Sequence, residues 1–111
     1  MANKFEALEV ALQLAEALGE IIPLIARHDR DQAKQLQKAG TSVPSNLSEG
    51  SKRNGQDRLQ HYRISCGSAA EVHTQVRLAV AWRYVSAERA AKSIDLADRS
   101  TALAWRLTHP R

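Results

Sequence analysis

Hydrophobic residues recur every three or four positions along nearly the whole chain, which is the spacing of an amphipathic helix. Four such segments predict helices over residues 4–27, 30–49, 56–85 and 86–107, followed by a frayed tail at 108–111. The polar connections between them are short, and no flanking pattern alternates as a strand would. The pattern therefore predicts an all-α, antiparallel up-down-up-down four-helix bundle that forms one domain over residues 1–111.

The second predicted helix contains a proline in its middle. Pro44 has no N–H, so the carbonyl of Gly40 loses its helical donor, and the proline ring presses on the same carbonyl. The apolar spacing nevertheless continues on both sides of Pro44, which predicts a kink rather than a break. Gly40 is expected to ease the bend and Gly50 to end the helix. The apolar positions are Ala33, Leu36, Ala39, Val43 and Leu47.

The first predicted helix carries two apolar lines instead of one. Pro23 is expected to bend this helix or to end it near Ile22. Two lines indicate burial on two sides, in the subunit core and against a neighbouring subunit; the alternative is a helix sunk in its own bundle. The first line is Phe5, Leu8, Leu12 and Ala15, and the second is Val10, Leu14, Leu18, Ile21 and Ile25.

Charge is unevenly distributed over the 111 residues, whose formal net charge is +4. Residues 1–25 are acidic, whereas the rest of the chain is basic. This asymmetry favours a polyanion or an acidic partner. Cys66 is the single cysteine, which excludes an intrachain disulfide and favours the cytoplasm. No apolar run is long enough for a membrane span, and no signal peptide is expected.

Basic residues cluster on the second helix and around the following turn. Their spacing predicts a surface that contacts the phosphate backbone of RNA or DNA. Few aromatic residues lie among them, so base stacking is not predicted. The alternative is an ordinary solvated basic face. On the fourth helix, Glu88 with Lys92 and Asp95 with Arg99 have the spacing of self-compensating pairs. The predicted nucleic-acid contacts are Lys38, Lys52, Arg53, Arg58 and Arg63.

Polar residues on the second and third helices are expected to face each other. If the two helices form a hairpin about Arg53, Glu71 lies near Gln35 and Lys38, and Asn46 lies near His61. Buried polar groups of this kind must be satisfied, and satisfied groups fix the helix register. We therefore predict a structural hydrogen-bond network that also compensates the freed Gly40 carbonyl. Its members are Ser42, Asn46, Glu49, Ser68, Glu71 and Gln75.

Candidate catalytic groups are poorly spaced. The hairpin register separates Glu49 from Glu71 too far for a carboxylate pair acting on one bond. Cys66 and His73 are two helical turns apart, too distant for an activated thiol. The histidines show no metal-binding spacing, and no glycine-rich phosphate loop is present. The sequence predicts no catalytic residue, no metal and no cofactor, and hence a protein that is not an enzyme.

Two segments, S-V-P-S-N-L-S-E-G at 42–50 and G-S-A-A-E-V-H-T-Q at 67–75, carry a family resemblance. They resemble the bacterial four-helix-bundle proteins encoded within intervening sequences of large-subunit ribosomal RNA genes, which are similar to the accessory protein of diversity-generating retroelements. Gly40-Thr41 and Leu47-Ser48 depart mildly from the family pattern.

The resemblance implies a homopentamer whose basic surface contacts nucleic acid or a nucleic-acid enzyme such as a reverse transcriptase, with no established reaction. The resulting expectation is a non-enzymatic binding protein. The alternative is a structural assembly module that docks a protein partner through its helix faces.

Overall fold

The computed structural model describes residues 5–110. Within that range the chain forms four helices and no strand: α1 (Glu6–Ala26), α2 (Arg30–Ser51), α3 (Gly55–Ala81) and α4 (Ala87–Thr108). The all-α prediction is confirmed. The predicted first residue of α1, Lys4, and the last residue of the predicted tail, Arg111, lie outside the described residues. None of the helices formed by residues 5–110 is long and apolar enough to cross a bilayer.

Both internal prolines lie inside continuous helices. α1 continues through Pro23 to Ala26, so the alternative that it ends near Ile22 is wrong. α2 continues through Pro44 and ends at Ser51, one residue beyond Gly50. The apolar face on each side of the proline packs into the core, and this packing outweighs the loss of one backbone hydrogen bond.

Two glycines of α2 lie where a β-carbon would overlap a side chain of a neighbouring helix. A β-carbon on Gly50 would lie 2.7 Å from a Tyr62 ring carbon, and one on Gly40 would lie 2.8 Å from Leu18 Cδ1. The prediction that Gly50 ends the helix is wrong, because α2 continues to Ser51. Each glycine lets a large side chain of a neighbouring helix approach the α2 backbone.

α3 ends four residues earlier than the periodicity predicts. Arg83 has a φ of 65°, in the left-handed region. Its N–H donates to the Val80 carbonyl at 2.9 Å, and the Tyr84 N–H donates to the Ala79 carbonyl at 2.9 Å. This pair of bonds is the Schellman termination motif, with arginine at the position that glycine usually occupies. The predicted continuation to Val85 is wrong because this turn reverses the chain.

Side chains cap the N-termini of α2 and α4. Asp29 Oδ1 accepts from the Gln32 N–H at 3.0 Å, and Ser86 Oγ accepts from the Arg89 N–H at 3.1 Å. The Gln32 side chain does not return to the cap but crosses to Gln75 of α3. The caps fix where two of the four helices begin.

The four helices surround two clusters of buried apolar residues, and α1 and α3 each pack against both α2 and α4. α1 and α3 therefore occupy diagonal corners. The second apolar line of α1 is buried, whereas Leu12 and Ala15 of the first line are exposed. α4 contributes mainly small residues, so its backbone lies close to its neighbours: Ala90, Ser93, Ala97, Ser100 and Ala104 are buried.

Candidate nucleic-acid interface

The outer face of α2 presents three exposed lysines. Lys34 and Lys38 lie on the helix and Lys52 directly follows its last residue, and all three lie along one side because their spacings are close to whole turns. None of them forms an ion pair with a carboxylate of residues 5–110. Thr41 and Ser45 lie between them, in a shallow hollow of about 520 Å³ whose lining residues all belong to α2. Ammonium and hydroxyl donors of this kind are the groups that contact phosphate oxygens.

Arg53, a predicted phosphate contact, is engaged by two carboxylates. Its Nε donates to Glu49 Oε2 at 2.9 Å, and its Nη1 donates to Asp57 Oδ2 at 3.2 Å. The hydrogen bond and charge of Arg53 hold the pKa of Glu49 below its usual range, and the two carboxylates raise the pKa of Arg53. The local charge around Arg53 is thus compensated, which weakens its attraction for phosphate.

Arg58 is occupied by the end of α2. Its Nε donates to the Gly50 carbonyl at 3.2 Å, and its Nη2 donates to the Ser51 carbonyl at 3.3 Å. These carbonyls belong to the last turn of the helix, where no intrahelical N–H is left to pair with them. A cation in this position also interacts favourably with the helix dipole. The structure therefore gives Arg58 a capping contact that the sequence analysis missed.

Arg63 lies apart from the lysines of α2. His61 faces α2, and Arg63 lies two residues further, which turns it about 200° around the α3 axis. Its side chain is exposed and has no carboxylate partner within residues 5–110. The five predicted contacts are thus divided between α2 and the residue that caps it (Lys38, Lys52), the turn (Arg53), the first turn of α3 (Arg58) and the outer face of α3 (Arg63).

A row of hydrogen-bonded polar side chains, here called the polar seam, joins α2 to α3 beneath the outer face of α2. Ser68 Oγ donates to Ser42 Oγ at 2.8 Å, and Asn46 Nδ2 donates to the same Ser42 hydroxyl at 3.0 Å. Asn46 Oδ1 lies 3.0 Å from His61 Nδ1, which places the His61 proton on Nδ1. The structure therefore brings Ser42, Asn46 and Ser68 together and adds His61, whose proximity to Asn46 the hairpin register had indicated.

Two further contacts extend the polar seam in both directions. Gln32 Nε2 donates to the Gln75 carbonyl at 3.1 Å and to Gln75 Oε1 at 3.2 Å. The buried Ser65 Oγ donates to the Val43 carbonyl at 2.9 Å. No side chain in the described range donates to the Gly40 carbonyl, so the predicted compensation of that carbonyl is wrong, and Ser65 bonds instead to a carbonyl that already lies opposite a helical donor. Gln75 was among the predicted network residues, whereas Gln32 and Ser65 were not.

The two predicted glutamates lie outside the polar seam. Glu49 pairs with Arg53, and the exposed Glu71 borders a hollow of about 370 Å³ that Gln35, Lys38 and Ser68 also line. Within residues 5–110 Glu71 makes no side-chain hydrogen bond and no ion pair. Both carboxylates therefore remain hydrated, because burying a charge without a buried partner costs more free energy than leaving it in water.

Other candidate groups are inert in their surroundings. Burial raises the pKa of the Cys66 thiol, whose Sγ lies 3.6 Å from the Thr101 carbonyl on α4. Arg99 does not pair with Asp95 but reaches Glu6 of α1 at 3.0 Å. In the described part of the chain, no three His, Cys, Asp or Glu side chains gather where they could hold a metal ion.

Residues 3–104 match the family model of the 23S rRNA-intervening sequence proteins. The chain belongs to this family. The resemblance drawn from segments 42–50 and 67–75 is confirmed to that extent, while similarity to the retroelement accessory protein stays a prediction. Comparison with the curated proteins finds no match.

A crystal structure of a protein with unknown function from the S23 ribosomal protein family of Bacteroides thetaiotaomicron has a similar fold, with a TM-score of 0.85. The two proteins are 16% identical, and the alignment covers 94% of this chain and 99% of that one. At this identity the comparison establishes the four-helix fold of the intervening sequence protein and not its ligand.

Proposed function

We propose that this intervening sequence protein is a non-enzymatic, cytoplasmic homopentamer that binds the phosphate backbone of RNA or DNA through the outer face of α2. The observation that carries the proposal is the row of exposed lysines without carboxylate partners beside Thr41 and Ser45. Lys34, Lys38 and Lys52 make the contacts, and Arg53 and Arg58 maintain the turn that ends the row. Phosphate neutralisation by lysine requires no particular base sequence.

The charge distribution supports this assignment. Residues 1–25 hold one lysine and four glutamates, so they are acidic, and the positive charge of the chain lies on the remaining three helices. α2 has the fewest large apolar residues at its surface, since the exposed large hydrophobics lie on α1, α3 and α4. A hydrated, basic helix face repeated by rotational symmetry would present several parallel rows of cations to one polyanion.

The finer architecture that we propose is an antiparallel up-down-up-down bundle kinked at Pro44. Short connections between consecutive helices support the arrangement. The polar seam supports it as well. Gln32 near the start of α2 pairs with Gln75 late in α3, and Asn46 late in α2 pairs with His61 early in α3, so the two helices run in opposite directions. Pro44 inside α2 supports a bend in that helix, because its ring presses on the Gly40 carbonyl and it donates no hydrogen bond.

The test is binding of labelled duplex RNA, duplex DNA and single strands, measured by fluorescence anisotropy at several salt concentrations. Affinity should fall steeply as salt rises, with little dependence on sequence. The double substitution Lys34→Gln/Lys38→Gln should reduce the log-log salt slope by about 1 to 2, since each phosphate contact contributes about 0.9 for a duplex. The matched control is Lys92→Gln/Arg106→Gln on α4. Equal losses in both variants, or a flat salt response, contradict the proposal.

The second candidate is an assembly module that docks a protein, such as a nucleic-acid enzyme, through its helix faces. The exposed Trp82 favours it, since a tryptophan with 63% of its surface accessible is typical of an interface. Binding of that kind would depend weakly on salt and would survive the lysine substitutions. The same titration therefore separates the two candidates.

A further inference from the structure

We infer that the subunits of this protein associate head to tail, with the outer face of α3 packing on the outer stripe of α1 of the next copy. The outer α3 face is the surface around Ile64, Gly67, Thr74, Leu78, Ala81 and Trp82. The outer α1 stripe is the surface around Leu8, Leu12, Ala15, Gly19 and Ile22. The inference rests on the proposed homo-oligomer and names the interface that forms it.

The outer α3 face is unusually apolar for a solvent-facing helix. Ile64, Leu78 and Trp82 are 41%, 40% and 63% exposed, and they are three of the five large hydrophobic side chains exposed within residues 5–110. Their spacing places them on one side of α3. Between them lie the small exposed residues Gly67, Thr74 and Ala81, together with one carboxylate, Glu71, at the edge that borders Lys38. The small residues let a partner helix approach the backbone closely.

The outer α1 stripe has the complementary shape and composition. Leu12 is 49% exposed, and Ala15 and Gly19 beside it leave the helix surface flat. A β-carbon built on Gly19 would meet nothing within 4 Å, so no packing inside the subunit explains a glycine in mid-helix. Ile22 and Gly19 also border a groove of about 220 Å³ between α1 and α2, which offers space for a side chain.

Charge favours a second copy of this chain as the occupant. Glu9, Glu16 and Glu20 flank the outer α1 stripe, whereas Arg63 and Arg77 flank the outer α3 face. All five side chains are exposed, and none has an ion-pair partner in the described range. The acidic flank spans about 17 Å of helix and the basic flank about 21 Å, so the two rows can pair when the apolar surfaces meet.

The position of the two helices excludes pairing of these surfaces inside one subunit. α1 and α3 occupy diagonal corners of the bundle, so their outer surfaces face different neighbours. An interface made from two different surfaces is heterologous and generates a closed ring when the rotation closes.

The decisive experiment mixes two variants, each blocked on one surface. Leu12→Glu blocks the outer α1 stripe, and Leu78→Glu blocks the outer α3 face; both side chains are exposed, so each subunit should still fold. Alone, each variant should sediment as a monomer. Mixed in equal amounts, they should form a one-to-one dimer, because each retains the surface that the other has lost. The matched control, Trp105→Glu on α4, removes an equally exposed hydrophobic and should keep the wild-type assembly.

The outcomes separate the interface from the oligomer itself. A wild-type protein that sediments as a monomer overturns both the proposed pentamer and this interface. A wild-type oligomer whose size survives both substitutions overturns the interface alone. Monomeric variants that stay monomeric when mixed indicate a two-fold interface and overturn the head-to-tail arrangement.

A charge reversal gives an independent readout. Arg63→Glu/Arg77→Glu should raise the subunit dissociation constant at least tenfold, and adding Glu16→Lys/Glu20→Lys to the same chain should restore most of the affinity. Restoration requires that the two rows meet across the interface. Failure of the second pair to restore assembly contradicts the assignment.

Discussion

Gly50→Ala tests the closest approach between α2 and α3. The new methyl would lie 2.7 and 2.9 Å from two ring carbons of Tyr62 and 3.1 Å from His61 Cβ. Tyr62 is only 7% exposed and packs against Phe5, with ring centroids 6.2 Å apart, so the ring has little room to move. Relieving the overlap therefore requires a shift of the helices or an unfavourable rotamer.

The magnitude follows from two opposing effects. Overpacking a well-filled site costs about 1 to 3 kcal/mol. Replacing glycine by alanine in a helix returns about 0.5 to 1 kcal/mol, because the unfolded chain loses conformational freedom. The net expectation is that Gly50→Ala lowers the free energy of unfolding by about 1 to 2 kcal/mol. Urea denaturation followed by circular dichroism at one fixed protein concentration measures this difference.

Introducing Gly50→Ala into a Tyr62→Leu protein tests whether the Tyr62 ring causes the loss of stability. In a Tyr62→Leu protein the ring carbons are absent, so Gly50→Ala should cost much less and the helix preference of alanine should nearly cancel the remainder. The coupling between the two substitutions should reach about 1 to 2 kcal/mol. An unchanged cost in both backgrounds, or a Gly50→Ala protein as stable as the wild type, would refute the packing argument.

Three further predictions concern other local features. Arg83→Gly should raise the free energy of unfolding by about 0.5 to 1 kcal/mol, because glycine adopts the left-handed backbone of the Schellman turn without strain; a thermal melt measures it, and an unchanged midpoint contradicts the account. Ser65→Ala should cost about 1 to 3 kcal/mol, because a buried hydrogen bond to α2 is lost. Ser100→Ala, which removes a buried hydroxyl with no partner in the described residues, should be neutral or stabilising, and equal losses in both serine variants would contradict this contrast. The pKa of Glu49 is lowered by Arg53, so its stabilising effect is present above the carboxyl pKa of the unfolded chain and is lost as the pH falls through the lowered value. Wild-type protein and Glu49→Gln should therefore differ slightly at neutral pH and converge in acid, as denaturation at several pH values can show.

Helix periodicity was sufficient to predict four helices and to carry α2 through Pro44, since both depend on apolar spacing that extends over many residues. The end of α3 could not be predicted this way. It depends on the backbone of Arg83, where a single residue adopts a conformation that its side chain does not favour. The packing roles of Gly40 and Gly50 were also missed, because a sequence does not show which side chain of another helix lies opposite.

Which positions of α2 and α3 lie opposite each other could be predicted from the sequence. Which nearby oxygen atoms engage each arginine could not. Numbering the hairpin about Arg53 placed Asn46 beside His61 and Glu71 beside Lys38, as the structure does. The numbering could not indicate that Glu49 and Asp57 neutralise Arg53, or that the Arg58 side chain donates to carbonyls at the end of α2. Arginine has many donors, and the nearest unpaired oxygen engages them before any ligand does.

The polar seam has a consequence for assembly as well as for folding. Sliding α3 along α2 by one turn would leave the Gln32–Gln75, Ser42–Ser68 and Asn46–His61 pairs unmade at once, whereas alanines and valines would repack with little loss. These hydrogen bonds are directional, so they hold α3 at one position along the axis of α2. The exposed lysines belong to α2 and Trp82 follows the end of α3, so the same hydrogen bonds fix the distance between the lysines and Trp82 in every subunit.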